Sequence, residues 1–228
     1  MILLALDTST EACSAALIAN GTVYSRFELA PRRHNEILLP MIQSLLDEAD
    51  ISLKAIQALA LGQGPGSFTG IRIATGTVQG LALGLGCPVI PISTLAALAL
   101  EGMLETGLNE ALPTLDARMD EIYAGHYQRA EDGSLVSLSA ETVVRPEHDR
   151  RQPTQAAVAI GSGWDRYAEI LGPLSGSEVR AVLGGRFPSA TLIARLALDS
   201  CIRGGAGRDV GLIEPVYLRD QVAQKPKA

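Results

Sequence analysis

Apolar runs at the start of the chain predict three β-strands. The first two runs cover residues 2–7 and 12–19, and an Asn-Gly pair at 20–21, the strongest short signal for a β-hairpin, follows them. A third strand is expected over residues 22–29. The first run reaches Asp7 too early, and lacks the basic segment, to be the apolar core of a signal peptide, so we interpret it as a buried strand.

The pattern then changes to helical spacing. Apolar residues recur every three or four positions up to Ala49, which predicts an amphipathic helix with Pro40 near its start or at a kink. A fourth strand over residues 58–62 leads into a glycine-rich turn. Ser67 is well placed to cap a second helix that runs to about Leu85.

The second part of the chain repeats features of the first. An acidic residue ends an apolar run at Asp7 and again at Asp116. Residues 58–64 match residues 157–163 in their alternation of small and large apolar side chains and in their glycine spacing. Two copies of a strand-strand-strand-helix-strand-helix unit explain this order.

The duplicated order resembles the α/β fold shared by actin, sugar kinases and the heat-shock ATPases, a ribonuclease H-like fold in which nucleotide lies between two halves. We therefore expect two βββαβα halves. The N-terminal half, residues 1–106, would carry the partner-binding helices, and the C-terminal half would cover residues 107–228.

Four motifs carry a closer resemblance. They are Asp-Thr-Ser-Thr-Glu-Ala at 7–12, Gly-Pro-Gly-Ser-Phe-Thr-Gly-Ile-Arg at 64–72, Asp-Ala-Arg-Met at 116–119 and Glu-Pro-Val-Tyr-Leu-Arg at 214–219. Together they resemble the TsaB family, also called YeaZ, and the glycine-rich motif is the most specific of them. The resemblance implies a subunit required with TsaD and TsaE to transfer a threonylcarbamoyl group to N6 of the tRNA adenosine 3′ to the anticodon.

The resemblance also implies that this chain is not the catalytic subunit. In the catalytic relative, TsaD, two histidines one helical turn apart hold a metal ion, and the matching stretch here contains His34 and Leu38. Leu38 offers no lone pair, so the two side chains cannot grip an ion together. We interpret His34 as a surface residue at a helix start. No catalytic residue, metal or cofactor is expected in this chain, and ATP or ADP would belong to the assembled complex.

Turn residues near the predicted cleft are candidates for nucleotide binding. A carboxylate and hydroxyls after the first strand could meet phosphate or magnesium, but these residue types are also common in turns. The glycine-rich turn lacks the Lys-Ser or Lys-Thr pair of a Walker loop, so only backbone amides and a helix N-terminus would hold phosphate, and a tight strand-to-helix turn is the alternative. Asp116 and Arg118 could face the cleft, but a buried salt bridge or a turn would need the same residue types. The candidates are Asp7, Thr8, Ser9, Gly64, Gly66 and Ser67.

The two helices of the first half are candidates for a partner surface. Glycines recur every four residues along the second helix, each costing roughly 1 kcal/mol relative to alanine, and leave a groove for another backbone, internal or external. The resemblance implies that these helices pack against the equivalent helices of TsaD, or against a second copy when TsaD is absent. The predicted partner-binding residues are Leu38, Leu39, Ile42, Leu45, Leu46, Ile73, Gly76, Val78, Gly80 and Leu81.

Charge and composition restrict the other partners. The net charge of −6 and pI near 5.1 supply no positive field for a phosphate backbone, so tRNA is expected to be contacted only through the complex. Residues 73–100 carry no charge, but glycines and prolines interrupt them, so we expect no membrane span. Cys13, Cys87 and Cys201 lack CxxC spacing, which argues against a zinc site or a disulfide framework and favours a reducing cytoplasm.

Other classes of function stay open at this point. An actin-like ATPase or phosphotransferase would use Asp7 and the glycine-rich turn, and ATP turnover by the isolated chain would favour it. A peptidase ranks lower, because no Ser-His-Asp or Cys-His order is evident. A structural homodimer without TsaD would use the same apolar helices, so only binding data separate it from a heterodimer.

Overall fold

The computed structural model describes residues 1–205 and 207–219 and consists of two mixed β-sheets with helices packed on both faces. The first sheet has the strand order β3-β2-β1-β4-β5, in which β1 is antiparallel to β2 and parallel to β4. Its strands are β1 (Leu3–Asp7), β2 (Ala12–Ala19), β3 (Thr22–Leu29), β4 (Ala58–Gly64) and β5 (Val89–Ser93).

The second sheet repeats this order with additions. Its path is β10-β7-β6-β11-β12, and β8 pairs with β6 and β9 beside it. The strands are β6 (Glu110–Arg118), β7 (Glu121–Ala124), β8 (Tyr127–Arg129), β9 (Leu135–Ser137), β10 (Thr142–Val144), β11 (Ala157–Ile160) and β12 (Val179–Leu183).

The α-helices begin and end where local chemistry dictates. Ser67 caps the second helix by accepting from the amide of Gly70, and Ser93 caps the third by accepting from the two amides that follow Thr94. Gly86 ends the second helix in a left-handed conformation. The helices are α1 (His34–Ala49), α2 (Phe68–Leu85), α3 (Thr94–Thr106), α4 (Ser162–Leu174) and α5 (Ala190–Ile202).

The core consists of layers set by the alternation of side chains along the strands. Leu4 and Leu6 of β1 point to one face of the first sheet, where α1 and α2 cover them. Leu3 and Ala5 point to the other face, where Ile193 and its neighbours on α5 pack. Both faces of this sheet are therefore buried along β1, β2 and β4, whereas the edge strand β3 is mostly exposed, and α1 and α2 form the outer layer.

The predicted boundary separates the two sheets but not the helices. α3, from residues 1–106, packs Leu98 and Met103 against the second sheet, whereas α5, from residues 107–228, packs against the first. α5 therefore belongs by sequence to the predicted C-terminal half, residues 107–228, but packs on the sheet of the first half. Each sheet is apolar on both faces. α3, which follows the last strand of the first sheet, and α5, which follows the last strand of the second sheet, fill the space between the two sheets.

The second copy also departs from the predicted βββαβα order. A short 3₁₀ turn at Pro146–His148 stands where the first copy has α1. The segment between β10 and β11 is short and contains Pro146 and Pro153, which disfavour a continuous helix there. Within the described residues, the structure contains no helix with the length and apolar character needed to cross a bilayer.

Candidate functional site

A cleft of about 640 Å³ lies between the two sheets. One wall is formed by the turn after β1 and the start of α2, and the other by the end of β6 and the start of α4. The last described residues of the chain close one side. Its lining includes Ser9, Thr10, Glu11, Gly66, Ser67, Phe68, Asp116, Arg118, Ser162, Phe187, Tyr217 and Arg219. The volume is sufficient for a small organic ligand.

Asp7 lies beneath this cleft and does not face it. Its side chain is completely buried, and its Oδ1 accepts hydrogen bonds from the amide and the hydroxyl of Ser9, at 3.1 and 3.0 Å. Its Oδ2 has no hydrogen-bond partner among the described residues and lies against Gly62 and Ile193. Burial raises the pKa of Asp7 to about 7, against the lowering effect of the two bonds from Ser9.

Thr8 and Ser9 hold the turn after β1 against the start of α2. The Thr8 hydroxyl donates to the Gly70 carbonyl at 2.6 Å and accepts from the amide of Ala74 at 3.1 Å. The amide of Ser67 donates to the Ser9 carbonyl at 2.6 Å. Because the Thr8 carbonyl occupies the space that a Cβ at position 70 would need, only glycine allows this contact.

The predicted nucleotide-binding residues are thus divided. Asp7, Thr8 and Gly64 are buried, and Oδ1 of Asp7 and the hydroxyl of Thr8 form hydrogen bonds within the turn, so a direct contact of these three residues with a ligand stays a prediction. Ser9 is buried but lines the cleft, together with Gly66 and Ser67, which are more exposed. The alternative interpretation, a tight strand-to-helix turn, accounts for most of the glycine-rich motif.

The other wall of the cleft carries a cluster of ion pairs. Oδ2 of Asp116 lies 3.0 Å from a guanidinium nitrogen of Arg166 and 3.3 Å from one of Arg118. Arg118 also reaches across the cleft to the carboxylate of Glu11 at 2.6 Å. Asp116 and Arg118 both line the cleft and pair with each other, but the side chain of Arg118 is 67% exposed, so the pair is not a buried salt bridge.

A cluster of aromatic rings and a guanidinium, which sequence reasoning missed, stands at the edge of the cleft. The rings of Phe68 and Tyr217 lie 5.4 Å apart, and the guanidinium of Arg72 stacks 3.7 Å from the centre of the Phe68 ring. Nε of Arg72 donates to the Tyr217 hydroxyl at 2.7 Å. These residues fall in two separate motifs, so their contact had no local signal in the sequence.

The predicted partner surface needs correction. Half of its residues pack into the protein's own core beneath α1 and α2, because they form the stripe that covers the sheet. Leu39, by contrast, is 58% exposed, and Ile73 and Leu81 are partly exposed. The buried residues, for which a direct partner contact is wrong, are Leu38, Ile42, Leu45, Leu46 and Val78.

The exposed side of α2 is narrower than predicted and includes one residue that was missed. A Cβ added at Gly76, Gly80 or Gly84 would meet no atom of the described residues within 4 Å, so no internal neighbour explains these glycines. Leu83 is 72% exposed. Its spacing from the glycines was a signal that could have found it. We call the partly exposed Ile73 and the exposed Gly76, Gly80, Leu83 and Gly84 the outer helix face.

Comparison with known proteins gives the family. A family model described as "TsaD: tRNA N6-adenosine threonylcarbamoyltransferase" matches residues 23–159. The tRNA threonylcarbamoyladenosine biosynthesis protein TsaB of Escherichia coli (strain K12) is 44% identical, over 99% of this chain and 97% of its own length. The chain belongs to the TsaB family. The TsaB protein of Haemophilus influenzae (strain ATCC 51907 / DSM 11121 / KW20 / Rd) is 37% identical, over 99% of this chain and 96% of its own.

Solved structures agree with this family and confirm the fold. The structure called "YeaZ from Pseudomonas aeruginosa" superposes with a TM-score of 0.86 at 43% identity, covering 95% of this chain and 99% of its own. A second structure from that organism, described as an uncharacterized protein with similarity to peptidase YEAZ, has a TM-score of 0.88 at 42% identity, covering 96% and 99%. The resemblance stated from the four motifs is confirmed.

His34 has a structural role in this TsaB-family chain. Its ring is buried, which corrects the expectation of a surface residue, and Nε2 lies 2.9 Å from the Thr10 carbonyl in the turn after β1. Leu38, one helical turn later, is buried in the core. In the part of the chain that the structure describes, no group of three or more His, Cys, Asp or Glu side chains is arranged to hold a metal ion.

Proposed function

We propose that this chain is a non-catalytic partner subunit in the biosynthesis of threonylcarbamoyladenosine in tRNA, and that it acts with TsaD and the P-loop ATPase TsaE. The names of its full-length relatives support the pathway. The observation that carries the partner role is the outer helix face, an apolar and glycine-rich surface that the described residues leave uncovered.

The outer helix face has the properties of a helix-packing surface. Each glycine on it costs roughly 1 kcal/mol relative to alanine in a helix, and no contact with the residues that the structure describes offsets this cost. A second backbone can approach closely along the glycines, while Leu83 and Ile73 supply apolar area beside them. A diverged copy of the same fold presents equivalent helices, so TsaD fits as a pseudo-symmetric partner, and a second copy of this chain fits when TsaD is absent.

The non-catalytic role is supported by the chemistry around His34. The position one helical turn after it is a leucine packed in the core, and the imidazole itself is engaged with the Thr10 carbonyl. Leu38 has no lone pair, so the two side chains cannot together hold a metal that would polarise an acyl group. We assign the transfer chemistry, and any ATP or ADP, to the assembled complex, with tRNA contacted through the complex.

The test is reconstitution of tRNA threonylcarbamoylation from purified components. TsaD and TsaE are assayed with no further chain, with the wild-type chain, and with Leu83→Glu. A charge at position 83 should abolish turnover and weaken binding to TsaD by at least about 100-fold, as for a hot-spot residue at an interface centre. The readouts are mass spectrometry of the modified nucleoside and calorimetry of the TsaD complex.

Ile202→Glu is the matched control, because Ile202 is 74% exposed, close to the 72% of Leu83, but lies at the end of α5. This variant should bind TsaD and support turnover as the wild type does. Equal turnover by TsaD and TsaE in the absence of this chain would overturn the proposal. Loss of binding in both variants would show that the outer helix face is not the specific site.

The cleft favours a second candidate, an actin-like ATPase or phosphotransferase. Its size and position between the sheets, with Gly66 and Ser67 at its surface, suit a nucleotide. The burial of Asp7 removes the acid that this chemistry would need on that wall. ATP turnover by the isolated chain, abolished by Asp116→Asn but not by Leu83→Glu, would favour this candidate over the partner role.

A further inference from the structure

The last described segment of the chain, residues 213–219, crosses from α2 to the edge of the cleft, and we call it the strap. Ile213 anchors its start in the core beside α2, and its carbonyl accepts from Nε2 of Gln79 at 2.9 Å. The amide of Val216 donates to the carbonyl of Gln63 at 3.0 Å. The strap therefore lies along α2 and the end of β4.

Tyr217 fastens the strap to the first turns of α2. Its hydroxyl accepts from Nε of Arg72, which also stacks on Phe68, and its own ring packs near Phe68. Arg72 lies one residue before Ile73, the first residue of the outer helix face. The strap and the outer helix face thus share the N-terminal part of the same helix.

The far end of the strap holds the turn between β6 and β7. Nη2 of Arg219 donates to the Ala117 carbonyl at 3.1 Å and pairs with the carboxylate of Glu121. Its side chain is only 19% exposed. One guanidinium therefore contacts both strands that flank the turn.

The turn that Arg219 holds carries the residue that bridges the cleft. Arg118, Met119 and Asp120 have φ values of 61°, 56° and 57°, a left-handed conformation that side chains with a Cβ rarely adopt in succession. Such a conformation persists only where surrounding contacts hold it. From this turn Arg118 extends to Glu11 on the opposite wall.

We infer that the strap is a structural link between α2 and the β6–β7 turn, so that binding of a partner at the outer helix face changes the contact of Arg118 across the cleft. The link is continuous in space, from Arg72 through Tyr217 and Arg219 to the turn. By thermodynamic reciprocity, occupation of the cleft would then change the affinity of the outer helix face for its partner. The existence of the link does not depend on the proposed function, but its use by a partner does.

Amide hydrogen exchange of the full chain tests the link itself. Arg219→Ala should speed exchange about tenfold in peptides covering residues 116–121, as for local opening after loss of a charge-assisted hydrogen bond, with both sheets unchanged. Arg219→Lys, which keeps one charge but not the fork of donors, should be intermediate. Arg203→Ala, which removes an exposed pair with Asp132 elsewhere, is the matched control and should leave residues 116–121 unchanged.

Tyr217→Phe tests transmission along the strap, because it removes only the bond to Arg72 on α2. Faster exchange at residues 116–121 in this variant supports the link. Unchanged exchange there in both Arg219→Ala and Tyr217→Phe overturns it, and so does an equal rise throughout both sheets, which would be general destabilisation.

A final measurement adds purified TsaD to the wild type and to Arg219→Ala. If TsaD binds both but changes exchange at residues 116–121 only in the wild type, the partner uses the link. An equal change in both proteins overturns that use. If TsaD binds neither protein, the proposed function fails, and the link is judged from the exchange of the isolated chain alone.

Discussion

The two aspartates that mark the repeat, Asp7 at the end of β1 and Asp116 near the end of β6, have acquired opposite environments. Asp7 is completely buried, with one oxygen left without a partner among the described residues and a pKa raised to about 7 by burial. The side chain of Asp116 is 12% exposed and forms ion pairs with Arg118 and Arg166 at the cleft.

This difference has a structural cause. Over the first sheet, α5 brings Ile193 against Asp7, and Gly62 lets the next strand approach it from the side. At the second sheet the corresponding acid meets two arginines and the cleft. A duplicated residue type therefore does not imply a duplicated role, and Asp116 is the member of the pair that a ligand could reach.

A large effect on stability is expected from breaking the contact that seals the turn after β1. Gly70→Ala places a Cβ on the Thr8 carbonyl, which is backbone and cannot move aside cheaply. We expect the free energy of unfolding to fall by about 3 kcal/mol, measured by urea denaturation. Gly80→Ala, on the same helix but facing open space, should instead gain up to about 1 kcal/mol. Equal effects of the two substitutions would contradict the packing described here.

The second prediction concerns the pH dependence that Asp7 imposes. Its pKa is about 7 in the folded protein and near the ordinary 3.8 when unfolded, so the unfolded state loses its proton first as pH rises. The contribution of Asp7 to stability is thus full below about pH 4 and declines by up to about 1.4 kcal/mol per pH unit towards pH 7.

Asp7→Asn should remove this decline, because the amide stays neutral. Urea denaturation of both proteins at several pH values between 4 and 8 measures it, and the stability of the variant relative to the wild type should rise with pH up to about 7. Curves that run parallel over this range would show that the Asp7 carboxyl is not protonated in the folded protein.

The smallest effect is expected at the other aspartate. Asp116→Asn weakens the pairs with Arg118 and Arg166, whose side chains are 67% and 46% exposed, so solvent screens most of the interaction. We expect a loss of about 0.5–1 kcal/mol that shrinks in high salt. Denaturation at two ionic strengths measures this change. A loss in the free energy of unfolding as large as that expected for Gly70→Ala would show instead that Asp116 is as deeply buried as Asp7.

Local patterns predicted most of the secondary structure. The expected strands at residues 12–19 and 22–29 match β2 and β3 in full, and the helix expected to run from the Ser67 cap to about Leu85 is α2. Capping chemistry and hydrophobic periodicity act over a few residues, so the sequence displays them directly. The absence of a helix between β10 and β11 was not predicted, because the repeat suggested that the second copy would contain every element of the first.

The candidate site was predicted less well, because exposure is not a local property. Leu45 and Leu83 are both leucines on amphipathic helices, but the first covers a sheet and the second faces outward. The glycines at 76 and 80 were correctly selected as unusual, whereas the contact between Phe68 and Tyr217 joins distant parts of the chain. Sequence spacing alone does not show which of these residues are exposed or which distant residues they contact.

The sequence by itself determined the order of strands and helices in the first copy, the duplicated α/β fold and the TsaB family, since these follow from periodicity, capping residues and short motifs. Only the tertiary structure decided that Asp7 is sealed while Asp116 faces the cleft, that α3 and α5 pack on the sheet of the other half, and that the strap reaches from α2 to the β6–β7 turn. The physical reason is that burial and desolvation depend on which distant segments pack together, and no local pattern records that choice.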